Sequence, residues 1–266
     1  MSKEILQLKP NFHGIGVDFN ELFRRWKVRR GSGHEVSVLA TRFLRLFSEH
    51  GVRPTNIPRL VPDLGYSDLL EESSLLAALT PRILDSVCAL FSVRASWITG
   101  ESEAIYDTDY SYKAPTRLLQ RVGGLQRDAY NMPLRAISVA KELDKDAGRS
   151  QRLELVLAEP VATIDDATIY RHHPFADGWE WSYPECRIQL KAMVRALGRP
   201  VPLYKVSDRQ IEQAYGGSLF YRSVLKGPLL TEPSLEDYAM TPSESRRSRE
   251  SAELPLVVSY MREHGI

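Results

Sequence analysis

The sequence predicts an α+β protein, with a bundle of short helices over the first hundred residues followed by a segment that mixes strands and helices. Three observations carry this prediction. Between Val36 and Phe91 the apolar residues recur three and four apart, as one face of a helix requires. Beyond residue 150, Leu153–Leu157 and Ala167–Tyr170 read as strands. Between the two regions, Glu101 to Lys113 is polar, acidic and tyrosine-rich without helical period, which predicts a domain boundary. A chain of 266 residues, 43% hydrophobic and 26% charged, is long enough to bury a core as one large domain or two ordinary ones.

The first elements are helical. Phe19, Leu22, Phe23 and Trp26 stand at i, i+3, i+4 and i+7 of a short amphipathic helix, and Arg29-Arg30-Gly31-Ser32-Gly33 is a basic link. Ser32 and Glu35 have the spacing of a capping box just before Val36, Leu39, Ala40, Phe43, Leu46 and Phe47, and Gly51 is a stop signal. A second short helix fits Val52 to Leu60, limited by Pro58, which lacks a backbone donor. Tyr66 to Leu79 reads as a third helix. Pro81 opens a fourth, whose buried stripe is Ile83, Leu84, Val87, Cys88 and Phe91. Cys88 sits in that stripe as a small core residue rather than a reactive thiol. After it, Ser92 to Gly100 reads as a tight turn and a short helix docking Trp97.

Residues 36 to 101 resemble the helix-turn-helix domains of phage-repressor type (Cro/C1, or XRE-like). The resemblance rests on VLATRFLRLFSEHGV as first helix, on RPTNIPRL and YSDLLEESSLLAALTP in the helix-turn-helix position, and most closely on RILDSVCALFSVRASWITGE. The opening PNFHGIGVDFN is similar to that of bacterial proteins carrying the same block. The resemblance implies a DNA-binding transcriptional regulator, with DNA contacted by Arg53, Thr55, Asn56 and Arg59 and by Arg29 and Arg30 of the basic link. The chain departs from the family pattern in carrying Asp68, Glu71 and Glu72 where a recognition helix meets phosphate. That departure supports the alternative of an adaptor that reuses the fold for protein contacts.

The second half reads as α+β. Helices fit Pro115–Val122, Pro133–Leu143 and Pro184–Leu197, with a charged loop from Asp144 to Arg149. A third strand fits Val201–Val206, and Asp208 reads as the cap of a helix through Ala214. Thr231 to Pro255 has the composition of a disordered segment, and Val257, Val258 and Met261 indicate a short terminal helix. The expected domains are therefore 1–101, helical; 113–230, an α+β sensor or dimerisation domain; and 231–266, a tail.

Charge is segregated along the chain. Glu21 to Leu60 holds nine Arg or Lys against three acids, whereas Val61 to Glu103 holds seven acids against two arginines. The whole chain is nearly neutral at +1, so any nucleic-acid surface must be local. Two cysteines, no signal-peptide pattern and no long apolar run predict a reduced, cytoplasmic setting without a membrane span.

The densest chemical cluster is Tyr170 to Arg187. Its metal reading, through His172, His173, Asp177, Glu185 and Cys186, fits no ligand spacing, and adjacent histidines on a strand face opposite ways. The expected ligand-binding set is His173 with an aromatic wall of Trp179, Trp181 and Tyr183. Gly123-Gly124 and Gly216-Gly217 match no phosphate-binding loop and read as turns. No catalytic residue, metal or cofactor is expected. The expected partners are DNA, a second copy in a homodimer, and a small molecule or protein.

Overall fold

The computed structural model describes residues 33–124, 134–140, 143, 148, 150–198, 201–226 and 253–266. The expected helix over 19–26, Arg29 and Arg30, and most of the expected disordered segment lie outside them.

Helix α1 (Gly33–Glu49) buries Leu39, Ala40, Phe43, Leu46 and Phe47 on the stripe their spacing predicts. After Gly51, which takes a φ of +81° open to glycine, a short 3-10 turn (Pro54–Asn56) runs into α2 (Ile57–Leu60). Pro58 falls in the first turn of α2, where its missing donor costs no helical hydrogen bond. The expected third helix is split. Asp68 folds back to accept the Gly65 N–H at 2.8 Å, closing a 3-10 turn over Ser67–Leu69. Glu71 is extended (φ −135°, ψ 149°), so α3 begins only at Glu72 and ends at Ala78. In α4 (Pro81–Phe91) Thr80 caps the start by accepting from the Ile83 N–H, and Ser92 in the left-handed region ends it. Helix α5 (Ala95–Ile98) follows and buries Trp97. Arg42 of α1 fastens that tryptophan by donating to its carbonyl at 2.7 Å and lying over its ring.

Helix α6 (Pro115–Gly123) leads to a four-stranded sheet of order β3-β2-β1-β4, with β1 (Leu134–Ser138), β2 (Arg152–Ile164), β3 (Ala167–Glu180) and β4 (Leu203–Lys205). β1 corrects the helix expected at Pro133–Leu143. Its five residues pair antiparallel with β2 and the last three, Ala136–Ser138, also pair parallel with β4, burying Leu134, Ala136 and Ile137. Because β1 is central, even Ser138 is buried, and its five residues do not show the polar and apolar alternation that marks a half-exposed strand in sequence.

β2 and β3 form one long hairpin. Its tip, Asp165-Asp166, has positive φ at both residues (49° and 64°), the conformation that matches the twist of a two-residue hairpin. Beyond the reach of β1 the hairpin continues as a two-stranded arm across the helical bundle, burying Ile164 and Ile169. Helix α7 (Pro184–Leu197) covers the other face of the sheet. Helix α8 (Asp208–Tyr215) is capped by Ser207, with Gln210 completing a capping box, so the cap lies one residue before the one expected. α9 (Tyr221–Leu225) and α10 (Leu254–His264) complete the described chain, and α10 packs on α7.

The architecture is α+β, in three layers. One core joins the helical bundle to the sheet, with Phe43, Phe91, Trp97, Ile137, Val156 and Phe220 in the same cluster. The second core lies between the opposite sheet face and α6 and α7, and includes Leu118, Leu155, Phe175, Trp179 and Met193. The expected boundary at 101–113 is folded into this body. Ile105 and Tyr106 are buried and both donate to the Gly217 carbonyl, where a Cβ on Gly217 would stand 2.9 Å from the Tyr106 carbonyl oxygen. Asp109 forms a bridge with Phe175 along the open edge of β3. An unpaired sheet edge is a template for aggregation, and this segment covers it. Among the described residues, no single helix is long and apolar enough to cross a membrane.

Candidate interaction surface

The residues expected to face DNA are brought together at the start of α2. Arg53 and Thr55 are exposed, and Asn56 and Arg59 stand on one side of the turn, 3.5 Å apart. That side is already occupied. Arg59 donates to Asp165 at 2.7 Å and Asn56 donates to the same carboxylate at 3.3 Å. Hydrogen bonds from Arg59, then Asn56, hold the Asp165 carboxyl below its usual range. The hairpin tip thus places a carboxylate against two of the side chains expected to contact DNA.

The same pattern recurs across the bundle. Of the six arginines between residues 33 and 100, five are ion-paired: Arg42 with Glu103, Arg45 with Glu49, Arg59 with Asp165, Arg82 with Asp63 and Arg94 with Asp107. Residues 33–110 carry these six arginines and no lysine against eleven acids, a net charge of −5.

The segment expected to hold a recognition helix, Tyr66–Leu79, shows apolar and acidic groups. Leu70 is 81% exposed and Tyr66 63% exposed, beside exposed Glu71 and Glu72 and the half-buried Asp68. Leucine at that exposure has lost nearly all the burial that stabilises it, and tyrosine is the residue type most at home in interfaces. The split between the 3-10 turn and α3 pushes Leu70 outward, because the chain extends at Glu71.

The expected ligand-binding set is not assembled. Trp179 and Trp181 are fully buried core residues: Trp179 Nε1 donates to Asp177, and the Lys191 ammonium lies over the Trp181 ring. Tyr183 points out at 46% exposure. His173 is held by Glu159 at 3.2 Å with Arg121 on its other nitrogen. Burial raises the Glu159 carboxyl, but His173 and Arg171 outweigh it and set it at about 2. Tyr112, not Tyr183, packs on Trp179, ring edge to face with centroids 5.5 Å apart.

His172 turns the opposite way, as strand geometry requires, into a polar seam between bundle and sheet. Its ring stands 5.8 Å from His50 of the α1 end and 5.7 Å from Tyr221, whose hydroxyl donates to Glu154 at 3.2 Å. Burial drives the His50 imidazole down to about 4 and His172 well below its usual value, and drives Glu154 well above its own. His50, Glu154 and Tyr221 were not singled out in the sequence. The available signal was Glu154, a carboxylate inside the apolar run Leu153–Leu157. Among the described residues no group of three His, Cys, Asp or Glu is placed to hold a metal ion.

Comparison of the chain with protein-family models, curated proteins and solved structures returns no match.

Proposed function

We propose that the helical half is a protein-docking module whose contact face is Tyr66, Leu70, Glu71 and Glu72. The observation that carries this reading is Leu70, the most exposed large apolar residue described, standing within an acidic rim. The complementary partner is a protein segment with apolar side chains flanked by Lys or Arg. Ion pairing of five arginines and the −5 charge of residues 33–110 support protein contact over DNA contact. The two unpaired, buried cysteines, Cys88 and Cys186, support a reducing setting such as the cytoplasm. For Cys88, burial pushes the thiol up to about 12, which makes it inert.

The test is a photo-crosslinking residue at position 70 in the full-length protein in cells, with exposed position 209 as control. A discrete protein adduct at 70 but not at 209 is expected. The identified partner, once purified, should then bind with an affinity that falls at high salt and is lost in Leu70→Ser. Equal adducts at both positions reject the reading.

A second reading, DNA regulation with a sensing or dimerising sheet half, has one observation in its favour: Arg53 and Thr55 are both exposed. Site-specific DNA retention at physiological salt that is lost in Arg53→Ala would make it the better account.

A further inference from the structure

We infer that the docking face is covered by the chain's own segment 19–30, which an outside partner must displace. This rests on the reading of Tyr66 and Leu70 as a docking face and adds its regulation.

Three observations select this occupant. The face is apolar and acidic, with Leu70 and Tyr66 among Asp68, Glu71 and Glu72. The segment has the opposite character. Phe19, Leu22, Phe23 and Trp26 fall on one side at helical spacing, and Arg24, Arg25, Lys27, Arg29 and Arg30 give five cations with no acid between Leu22 and His34. Neither acids nor cations have reason to be so segregated in a chain of net charge +1 unless the two regions meet or each meets something else.

The third observation is reach. Segment 19–30 joins α1 directly at Gly33, and α1 packs against α3, which starts two residues after Leu70. α1 is about 25 Å long, and the ten residues from Gly33 back to Phe23 extend to about 35 Å. The tether therefore reaches Leu70 whichever end of α1 lies closer to it. Covalent attachment over so short a link gives an effective concentration on the order of millimolar, so a contact too weak to hold free peptides together is populated in one chain.

The experiment is disulfide trapping in the full-length protein. The two native thiols are buried, so they do not compete with a pair introduced at Phe23→Cys and Leu70→Cys. The control pair is Phe23→Cys with Arg209→Cys. Under mild oxidation at low salt, the 23–70 pair is expected to close within monomers at least about ten-fold faster than the control, with the advantage reduced several-fold in 0.5 M salt, roughly as screening of exposed charges predicts. Equal rates for the two pairs overturn the inference. So does a 23–70 disulfide found only in dimers, which would assign the face to a second copy. A retained photo-crosslink from position 70 to another protein, with no 23–70 disulfide, rejects the tether while leaving the docking face standing. Loss of both rejects the face itself.

Discussion

Arg59 donates to Asp165 at 2.7 Å across 106 residues of sequence, so the turn joining two strands closes over the start of a helix in the other half of the protein. The pair is exposed on both sides, and such pairs form and break readily. It therefore governs access more than stability. Asp165→Asn keeps a residue that tolerates positive φ and removes the charge. This variant should bind heparin or duplex DNA about three-fold more tightly than the parent at low salt, with no advantage at high salt. Adding Arg59→Ala should abolish the gain. Fluorescence anisotropy over a salt series reads both effects, and an unchanged affinity in Asp165→Asn removes any masking role for the tip.

His50 makes stability fall on acidification. Its ordinary value of 6.5 is lowered to about 4 in the folded protein by burial, partly opposed by its hydrogen bond to the Leu46 carbonyl. The unfolded chain therefore takes up a proton first as pH falls. Stability from this group is complete above 6.5 and is lost progressively down to about 4, amounting to about 3 kcal/mol. Urea denaturation at pH 7.5 and 4.5 measures the loss. His50→Phe should flatten the difference, whatever it does to stability at neutral pH.

Glu154 acts in the opposite sense. Burial raises its carboxyl well above 4.5, partly opposed by the bond from Tyr221, so the folded protein keeps a proton that the unfolded chain releases. Its favourable contribution is complete below 4.5 and is lost as pH rises toward the folded value. Glu154→Gln retains an acceptor for Tyr221 without that cost. The melting temperature of this variant should exceed the parent's by a few degrees at pH 8, consistent with roughly 1 kcal/mol, and equal it near pH 4. A lower melting temperature at pH 8 would mean that the ionised carboxylate is the stabilising form.

The described part of the C-terminus is held by Glu253. Its carboxylate accepts from Arg187 at 2.5 Å and from Lys191 at 2.8 Å, two cations of α7 that are nearly inaccessible. Burial raises the Glu253 carboxyl, but these hydrogen bonds outweigh it and bring it to about 2. Removing one partner of a buried ion pair costs about 3 kcal/mol or more. Glu253→Gln should therefore release α10, seen as loss of hydrogen-exchange protection in 254–264, while β2 and β3 keep theirs. Protection unchanged in α10 would place its anchorage in Val257 instead.

The sequence made the periodic elements readable and left the long-range contacts hidden. α1, α4 and α7 follow from apolar spacing over three or more turns, with Thr80 and Pro81 marking one start. β1 departs from the expected helix because five residues, with Arg135 and Ser138 interrupting only three apolar ones, are too short to display a strand period. The arm of β2 and β3 was read short, since Pro160, His172, His173 and Pro174 interrupt its apolar pattern. The register shift near Pro160 and the edge position of β3 are what accommodate those prolines. Arg59 and Asn56 were legible as neighbours because they lie three apart on a helical turn. Asp165 was not legible as their partner, because only the fold closes a gap of that length. Trp179 and Trp181 were misassigned for the converse reason: aromatic residues are equally suited to a pocket wall and a core, and their spacing cannot distinguish the two.

The apolar cluster that runs unbroken from Phe43 and Phe91 into Ile137 and Val156 also constrains inheritance. A domain with its own core can be exchanged between genes as a unit, because a breakpoint in its linker severs few contacts. A breakpoint near residue 101 would instead strip one wall from the core of each product, exposing Phe220 and Tyr106 from one piece and Phe91 and Trp97 from the other. The helical half can therefore diversify its outward face residue by residue, but it is transmitted only together with the sheet that completes it.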